Sequence, residues 1–234
     1  MVTMMRTLFI LLVSLSISDI SCAGFEQARQ EMVTKQLAAR GITDTRVLSA
    51  MAKVPRHEFV LEELQEEAYI DSPLPIGYRQ TISQPYIVAF MTQALAPKAE
   101  DKILEIGTGS GYQAAVLAEL VAEVYTIEIV HELAVSATER LKRLTYKNIQ
   151  VRSGDGYLGW QEAAPFDAIM VTAGADHIPQ PLIDQLKSGG KLIMPVGSRL
   201  FQDLQILRKD DNGKVRVEKV LPVRFVPLTR KTAN

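Results

Sequence analysis

The chain predicts an α/β fold: a mostly parallel sheet with antiparallel strands at its C-terminal end and an N-terminal helical addition. Three observations predict it. From Lys102 to about Val196, apolar runs alternate with helix-forming stretches, the signature of strand–helix units. Within this region Ile103-Leu104-Glu105-Ile106 runs into three alternating glycines, Gly107, Gly109 and Gly111, and then into the helix-forming Gln113-Ala114-Ala115-Val116-Leu117-Ala118. Near the end, Asp210-Asp211-Asn212-Gly213 separates two strand-like runs, a strong hairpin signal.

Residues 1–23 stand apart from the rest. Arg6 precedes an apolar run from Leu8 to Ile17 that is too short to span a bilayer comfortably, and Ser21-Cys22-Ala23 resembles a small-x-small cleavage site. We expect a signal-like leader over 1–23 and a single domain over 24–234, with no stable membrane span in the mature chain. Asp19, three residues before Cys22, argues against a lipoprotein. Cys22 is the only cysteine, so the domain has neither an internal disulfide nor a thiolate metal site.

Phe25 to Arg40 is helical in character, with Met32, Val33 and Leu37 on one face and Gly41 as its stop. Thr43 or Asp44 caps a second helix through Met51-Ala52, ended by Pro55. Val54 to Gln84 is loop-rich, and Pro85 opens a helix to about Leu95. The strands expected after the glycine loop are Val121–Glu128, Ile149–Ser153, Phe166–Thr172 and Lys191–Val196. Phe166–Thr172 is nearly all apolar, which suits burial on both faces.

With 234 residues, 47% hydrophobic and 23% charged, and a formal net charge of −1, the composition is that of an ordinary globular protein. It has no basic excess, which argues against nucleic acid as a partner. His57, His131 and His177 have no metal-ligand spacing, so no metal is expected, and Trp160 is expected to be a packing residue.

The glycine loop marks a nucleotide-like cofactor site, because ligands of open α/β sheets bind at the carboxyl ends of the strands. Its spacing is Gly-x-Gly-x-Gly. Tyr112 stands where the dinucleotide fingerprint has its third glycine. Glu105 aims negative charge at the loop, which repels a pyrophosphate and suits a ligand with a cationic amino group. S-adenosylmethionine fits that description. Glu128 follows Gly107 by 21 positions (128 − 107), about where an acid reaches ribose hydroxyls in such folds. Asp155, between Gly154 and Gly156, can reach an adenine amino group. Bland readings stand beside these: a tight turn for the glycines, a lysine partner for Glu105, a turn residue in Asp155. A dinucleotide-binding reductase is the rival from another class, and a non-catalytic binding module is a further one.

Gly77 to Tyr86 is polar and hydroxyl-rich and precedes a helix, a suitable anion site. The plainer reading of Ser83 is a cap on the Pro85 helix. Tyr86 and Tyr112 either border a sulfonium through their ring faces or pack as wall.

Five segments together resemble the protein-L-isoaspartate O-methyltransferases. They are Val54-Pro55-Arg56-His57-Glu58-Phe59-Val60, Ala68-Tyr69-Ile70-Asp71, Thr81-Ile82-Ser83-Gln84-Pro85-Tyr86, Leu104 to Tyr112, and Val226-Pro227-Leu228-Thr229. The resemblance implies a Rossmann-like class I S-adenosylmethionine-dependent methyltransferase. Its reaction is methyl transfer to the free α-carboxylate of L-isoaspartyl residues, extended to D-aspartyl residues, in damaged proteins and peptides. The ester then collapses to a succinimide that partly reopens as aspartate. Ser83 takes the catalytic position, with Thr81, Ile82 and Tyr86 beside it on the substrate. Glu105, Gly107, Thr108, Gly109, Gly111 and Tyr112 take the methionine portion of the cofactor, Glu128 the ribose, Asp155 and Gly156 the adenine, and Thr229 lies nearby. A methyltransferase with another substrate is the nearest alternative. We expect a monomer. The need for S-adenosylmethionine and the resemblance place it in the cytoplasm, while the leader pattern alone points to export, periplasmic or secreted.

Overall fold

The computed structural model describes residues 17–230, with side chains from residue 24 onward, so Arg6 and most of the expected leader lie outside the described residues. Helix α1 (Ile17–Glu31) passes through the expected junction after Ala23 without a break. Helical backbone continues as a π turn, Met32–Leu37, and a 3-10 turn, Ala38–Arg40, and stops at Gly41 with φ +93°. Met32, Val33 and Leu37 are buried, as their spacing predicts. Helix α2 (Thr45–Lys53) is capped by Asp44, whose side chain accepts the Arg46 amide at 2.9 Å.

The stretch Val54–Gln84, expected as loop, is more ordered than that. It holds 3-10 turns at Arg56–Phe59 and Glu62–Glu67 and a hairpin of β1 (Leu74–Gly77) and β2 (Gln80–Ile82). The hairpin escaped prediction because its turn lacks Asn-Gly. Tyr78 and Arg79 themselves take left-handed conformations, φ 51° and 59°. Helix α3 (Pro85–Leu95) begins at the expected proline.

The remaining elements are β3 (Lys102–Ile106), α4 (Tyr112–Ala118), β4 (Glu123–Glu128), α5 (His131–Arg143), β5 (Ile149–Ser153), β6 (Phe166–Val171), α6 (Gln180–Asp184), β7 (Leu186–Gly197), β8 (Gln202–Lys209) and β9 (Val215–Val223). Seven strands form one sheet in the order β5-β4-β3-β6-β7-β8-β9. The first five in that order are parallel, and β8 and β9 add antiparallel to β7. The Asp210–Gly213 turn joins β8 to β9, with Gly213 at φ +79°.

After β3 the chain moves outward to β4 and β5, then crosses to β6 on the other side of β3. This reversal opens a crevice at the carboxyl ends of β3 and β6, where such sheets bind ligands. Strand alternation sends Ile103 to the core beneath the N-terminal helices, and Leu104 and Ile106 to the core on the α6 side. Both faces are buried, so β3 and β6 read as continuous apolar runs. Each buried aliphatic side chain under the crevice contributes about 1.5–3 kcal/mol.

Candidate active site

The glycine loop sits against Thr172, the residue that follows β6. Its hydroxyl lies 3.0 Å from the Ile106 carbonyl and 2.8 Å from that of Gly107. A Cβ at Gly107 would fall 2.4 Å from that oxygen, so only glycine fits, and φ +98° requires it as well. Gly156 is constrained in the same manner: a Cβ there would meet Ile106 at 2.3 Å. On the outer side Arg140 donates to the Ser110 carbonyl at 2.9 Å and fixes the loop to α5.

A narrow cleft over this loop is lined by Gly107, Gly109, Glu128, Gly156 and Thr229, together with Thr81 and Thr172. An adjoining inner hollow is lined by Thr81, Ile82, Ser83, Thr108 and Tyr112. Three residues of the expected cofactor set do not line these spaces. Gly111, φ +91°, ends the loop and packs on Leu141. Asp155 caps a 3-10 turn, accepting the Tyr157 amide at 2.9 Å. Glu105 lies behind the loop.

Glu105 differs most from expectation. It is fully buried, on the same strand face as Ile103. Among the described residues no lysine pairs with it. The Thr126 hydroxyl donates to its Oε2 at 2.6 Å, the Thr108 hydroxyl lies 2.6 Å from that of Thr126, and Oε1 has no partner. Burial pushes its carboxyl up to about 8, Thr126 works against that shift, and the nearby Glu128 adds to it. At neutral pH the side chain is therefore largely protonated in this arrangement, rather than presenting fixed negative charge. Glu128 behaves differently: its oxygens accept the Gly109 amide at 2.7 Å and the Val130 amide at 3.0 Å.

Beside the glycine cleft lies a larger one of about 600 Å³, lined by Thr81, Ser83, Tyr86 and Thr172 and, opposite them, by Leu221 to Val226. Ser83 borders both this cleft and the inner hollow, half-buried, with its hydroxyl unbonded among the described residues. The helix-cap reading of Ser83 is corrected. Gln84 occupies the cap position and makes no side-chain cap bond, while Asp71 supplies the acceptor, taking the Tyr86 amide at 2.8 Å. Asp71 also pairs with Arg40, whose guanidinium stacks 3.8 Å from the Tyr86 ring centre. Tyr112 is buried, and the cation at its ring is Arg56, at 4.8 Å, with Phe59 edge-on at 5.5 Å. Arg56 is itself fully buried, donates to the Ala68 carbonyl at 2.7 Å, and is pulled down to about 10 by desolvation. Both tyrosine rings thus already face a protein cation.

Thr172 borders all three spaces and was read from the sequence only as the end of a strand. Its signal was a lone hydroxyl closing an apolar run at the strand beside the glycine loop. Asp71 was legible as part of a motif, but its service to α3 was not. The C-terminal segment is held by paired backbone bonds, Gly174 N to Val226 O at 2.8 Å and Leu228 N to Gly174 O at 2.7 Å. That anchoring brings Thr229 to the glycine cleft. Trp160 packs edge-on against Tyr125 at 5.2 Å. No group of three metal-ligating side chains occurs among the described residues, and no helix among them is long and apolar enough to cross a membrane.

A glycine-floored crevice at the sheet's reversal point, an acid at the end of β4 and antiparallel β8 and β9 define the scaffold of a nucleoside-binding methyltransferase. The residues present suit a nucleoside: the Glu128 carboxylate is held beside the cleft by the Gly109 amide, and among the described residues the buried Glu105 Oε1 has no partner. The family model for protein-L-isoaspartate(D-aspartate) O-methyltransferase matches residues 27–233. A protein-L-isoaspartate O-methyltransferase of Opitutus terrae is 54% identical over 232 residues, covering 97% of this chain and 99% of that one. One from Syntrophobacter fumaroxidans is 57% identical over 205 residues, covering 87% and 82%. The crystal structure of a putative Plasmodium falciparum protein-L-isoaspartate O-methyltransferase, in complex with S-adenosyl-L-homocysteine, superposes with a TM-score of 0.77. It is 28% identical and covers 87% of this chain and 99% of that one. The chain belongs to the protein-L-isoaspartate(D-aspartate) O-methyltransferase family.

Proposed function

We propose how the residues of this site divide the work of an S-adenosylmethionine-dependent protein-L-isoaspartate O-methyltransferase. The enzyme esterifies the α-carboxylate that an isoaspartyl linkage leaves free and so starts repair through a succinimide. The observation that carries our reading is Ser83, whose hydroxyl is unbonded among the described residues and stands on the wall shared by the larger cleft and the hollow beside the glycine loop.

The reaction asks little acid–base work of the protein, because a carboxyl with a pKa near 4 is ionised at neutral pH. S-adenosylmethionine supplies the methyl on a sulfonium, already a good leaving group. Ser83 donates to one carboxylate oxygen and leaves the other facing the methyl. Thr81, Ile82 and Tyr86 shape the wall around it. Such alignment is worth up to about 7–11 kcal/mol. Gly107, Gly109 and Thr108 shape the floor under the methionine portion. Glu128 takes the ribose hydroxyls, Gly156 and Asp155 the adenine end, and Thr229 closes the rim. Gly111 sets the course of the loop, and Tyr112 with Arg56 forms the wall behind it. Glu105 acts from behind the loop: a cation above it favours its ionised form, so it contributes attraction only when that cation is bound.

The supply of methyl donor supports the cytoplasm, and the family match over residues 27–233 supports a single domain over 24–234. The mass of the mature N-terminus checks the leader.

Transfer of labelled methyl to an isoaspartyl peptide, with the matching aspartyl peptide as control, tests the reading. Labelling of the isoaspartyl peptide alone is expected. Equal labelling of both would overturn it.

A further inference from the structure

The larger cleft does not end at Ser83. Past Pro73, Thr81 and Phe225 it continues into an outer hollow of about 310 Å³, whose wall carries Arg199 and Arg224. Arg224 borders both spaces, and no carboxylate lines either of them. The inner arginine, Arg40, is occupied by Asp71 and by the Tyr86 ring. Arg199 and Arg224 are different: among the described residues neither forms an ion pair. The chain as a whole is close to neutral, at −1, so this positive wall is local.

The mounting of Arg224 is firm. Its neighbour Phe225 is clamped by Gln202, which accepts the Phe225 amide at 2.7 Å and lies 3.4 Å from its carbonyl. Arg199 sits on the β7–β8 turn, which faces the same hollow. A guanidinium offers planar paired donors that match a carboxylate. Two of them, unneutralised and on the continuation of the cleft that holds the reacting group, form a reader for negative charge.

We propose that Arg224 and Arg199 recognise a second carboxylate in the substrate. Isoaspartyl segments carrying an Asp or Glu close to the damaged residue are then the preferred class. The inference rests on the repair reading above and names the substrate for that same site. Both arginines are exposed, so the effect is modest and salt-dependent: roughly three- to tenfold in KM at low ionic strength.

The test is methylation kinetics on two isoaspartyl peptides that differ only in a flanking Glu or Gln, at low and high salt. The wild type should show a several-fold lower KM for the Glu peptide, with similar kcat, and the preference should shrink at high salt. In Arg199→Gln/Arg224→Gln the ratio of the two KM values should approach one. In Arg224→Glu it should invert. Equal KM values in the wild type, or a preference that survives in the double variant, would overturn this inference alone. A wild type that methylates neither peptide would remove the repair reading and this inference with it.

Discussion

The Thr126 hydroxyl donates to Glu105 Oε2 at 2.6 Å across two neighbouring parallel strands, and it is the only hydrogen bond on that carboxyl among the described residues. One donor does not offset complete burial, so the carboxyl holds its proton up to about pH 8.

A pH signature follows. In the unfolded chain Glu105 loses its proton near 4.5, whereas in the fold it keeps it to about 8. The native state binds more protons across that window. Stability therefore falls as pH rises from about 4.5 to 8 and is unaffected by this group below it. The total contribution is on the order of a few kcal/mol. Glu105→Gln should flatten that part of the profile, measured by urea unfolding at several pH values. An unchanged slope would show that Glu105 is not the group.

Gly107→Ala places a Cβ 2.4 Å from Thr172 Oγ1 at a φ of +98°. It should cost about 1–3 kcal/mol in stability and at least tenfold in affinity for S-adenosylhomocysteine, read by calorimetry. Adding Thr172→Ala should recover the steric part but not the conformational part. Full additivity of the two substitutions would count against the contact.

Ser83→Ala removes the donor assigned to the substrate carboxylate. A hydrogen bond to a charged group is worth about 1.5–3 kcal/mol, so the rate should fall tenfold or more while the melting temperature holds. An unchanged rate would remove Ser83 from the mechanism.

Asp71→Ala strips the acceptor from the Tyr86 amide and the partner from Arg40. A loss of about 1–2 kcal/mol is expected, with Asp71→Asn retaining much of it through its remaining oxygen. Thermal melts of the two variants separate the cap from the charge. Equal losses would assign the role to the ion pair.

The helix ended by Gly41, the Asp44 cap, the Pro85 helix, the acid-ended strand into glycines and the Asp210–Gly213 hairpin were all legible. Each is written within a dozen residues by periodicity, a capping side chain or an obligatory turn residue. The hairpin at Leu74–Ile82 was not, because Tyr78 and Arg79 take positive φ without the residues that usually announce it. Ser83 was singled out by its motif, and only the plainer reading of it as a cap fails, since the acceptor for the helix start, Asp71, lies 15 residues from Tyr86.

By itself the sequence determined the strand–helix order, the glycine loop and the family, because these are carried by local chemistry and by motifs in a set order. Only the tertiary structure decided that Thr172 touches Gly107, that Arg56 and Arg40 stack on the two tyrosines, and that Glu105 is buried behind the loop with its carboxyl pushed up to about 8. A contact between distant segments and the dielectric around a buried carboxyl depend on what the fold packs against each residue, and neither is encoded in the residue's neighbours along the chain.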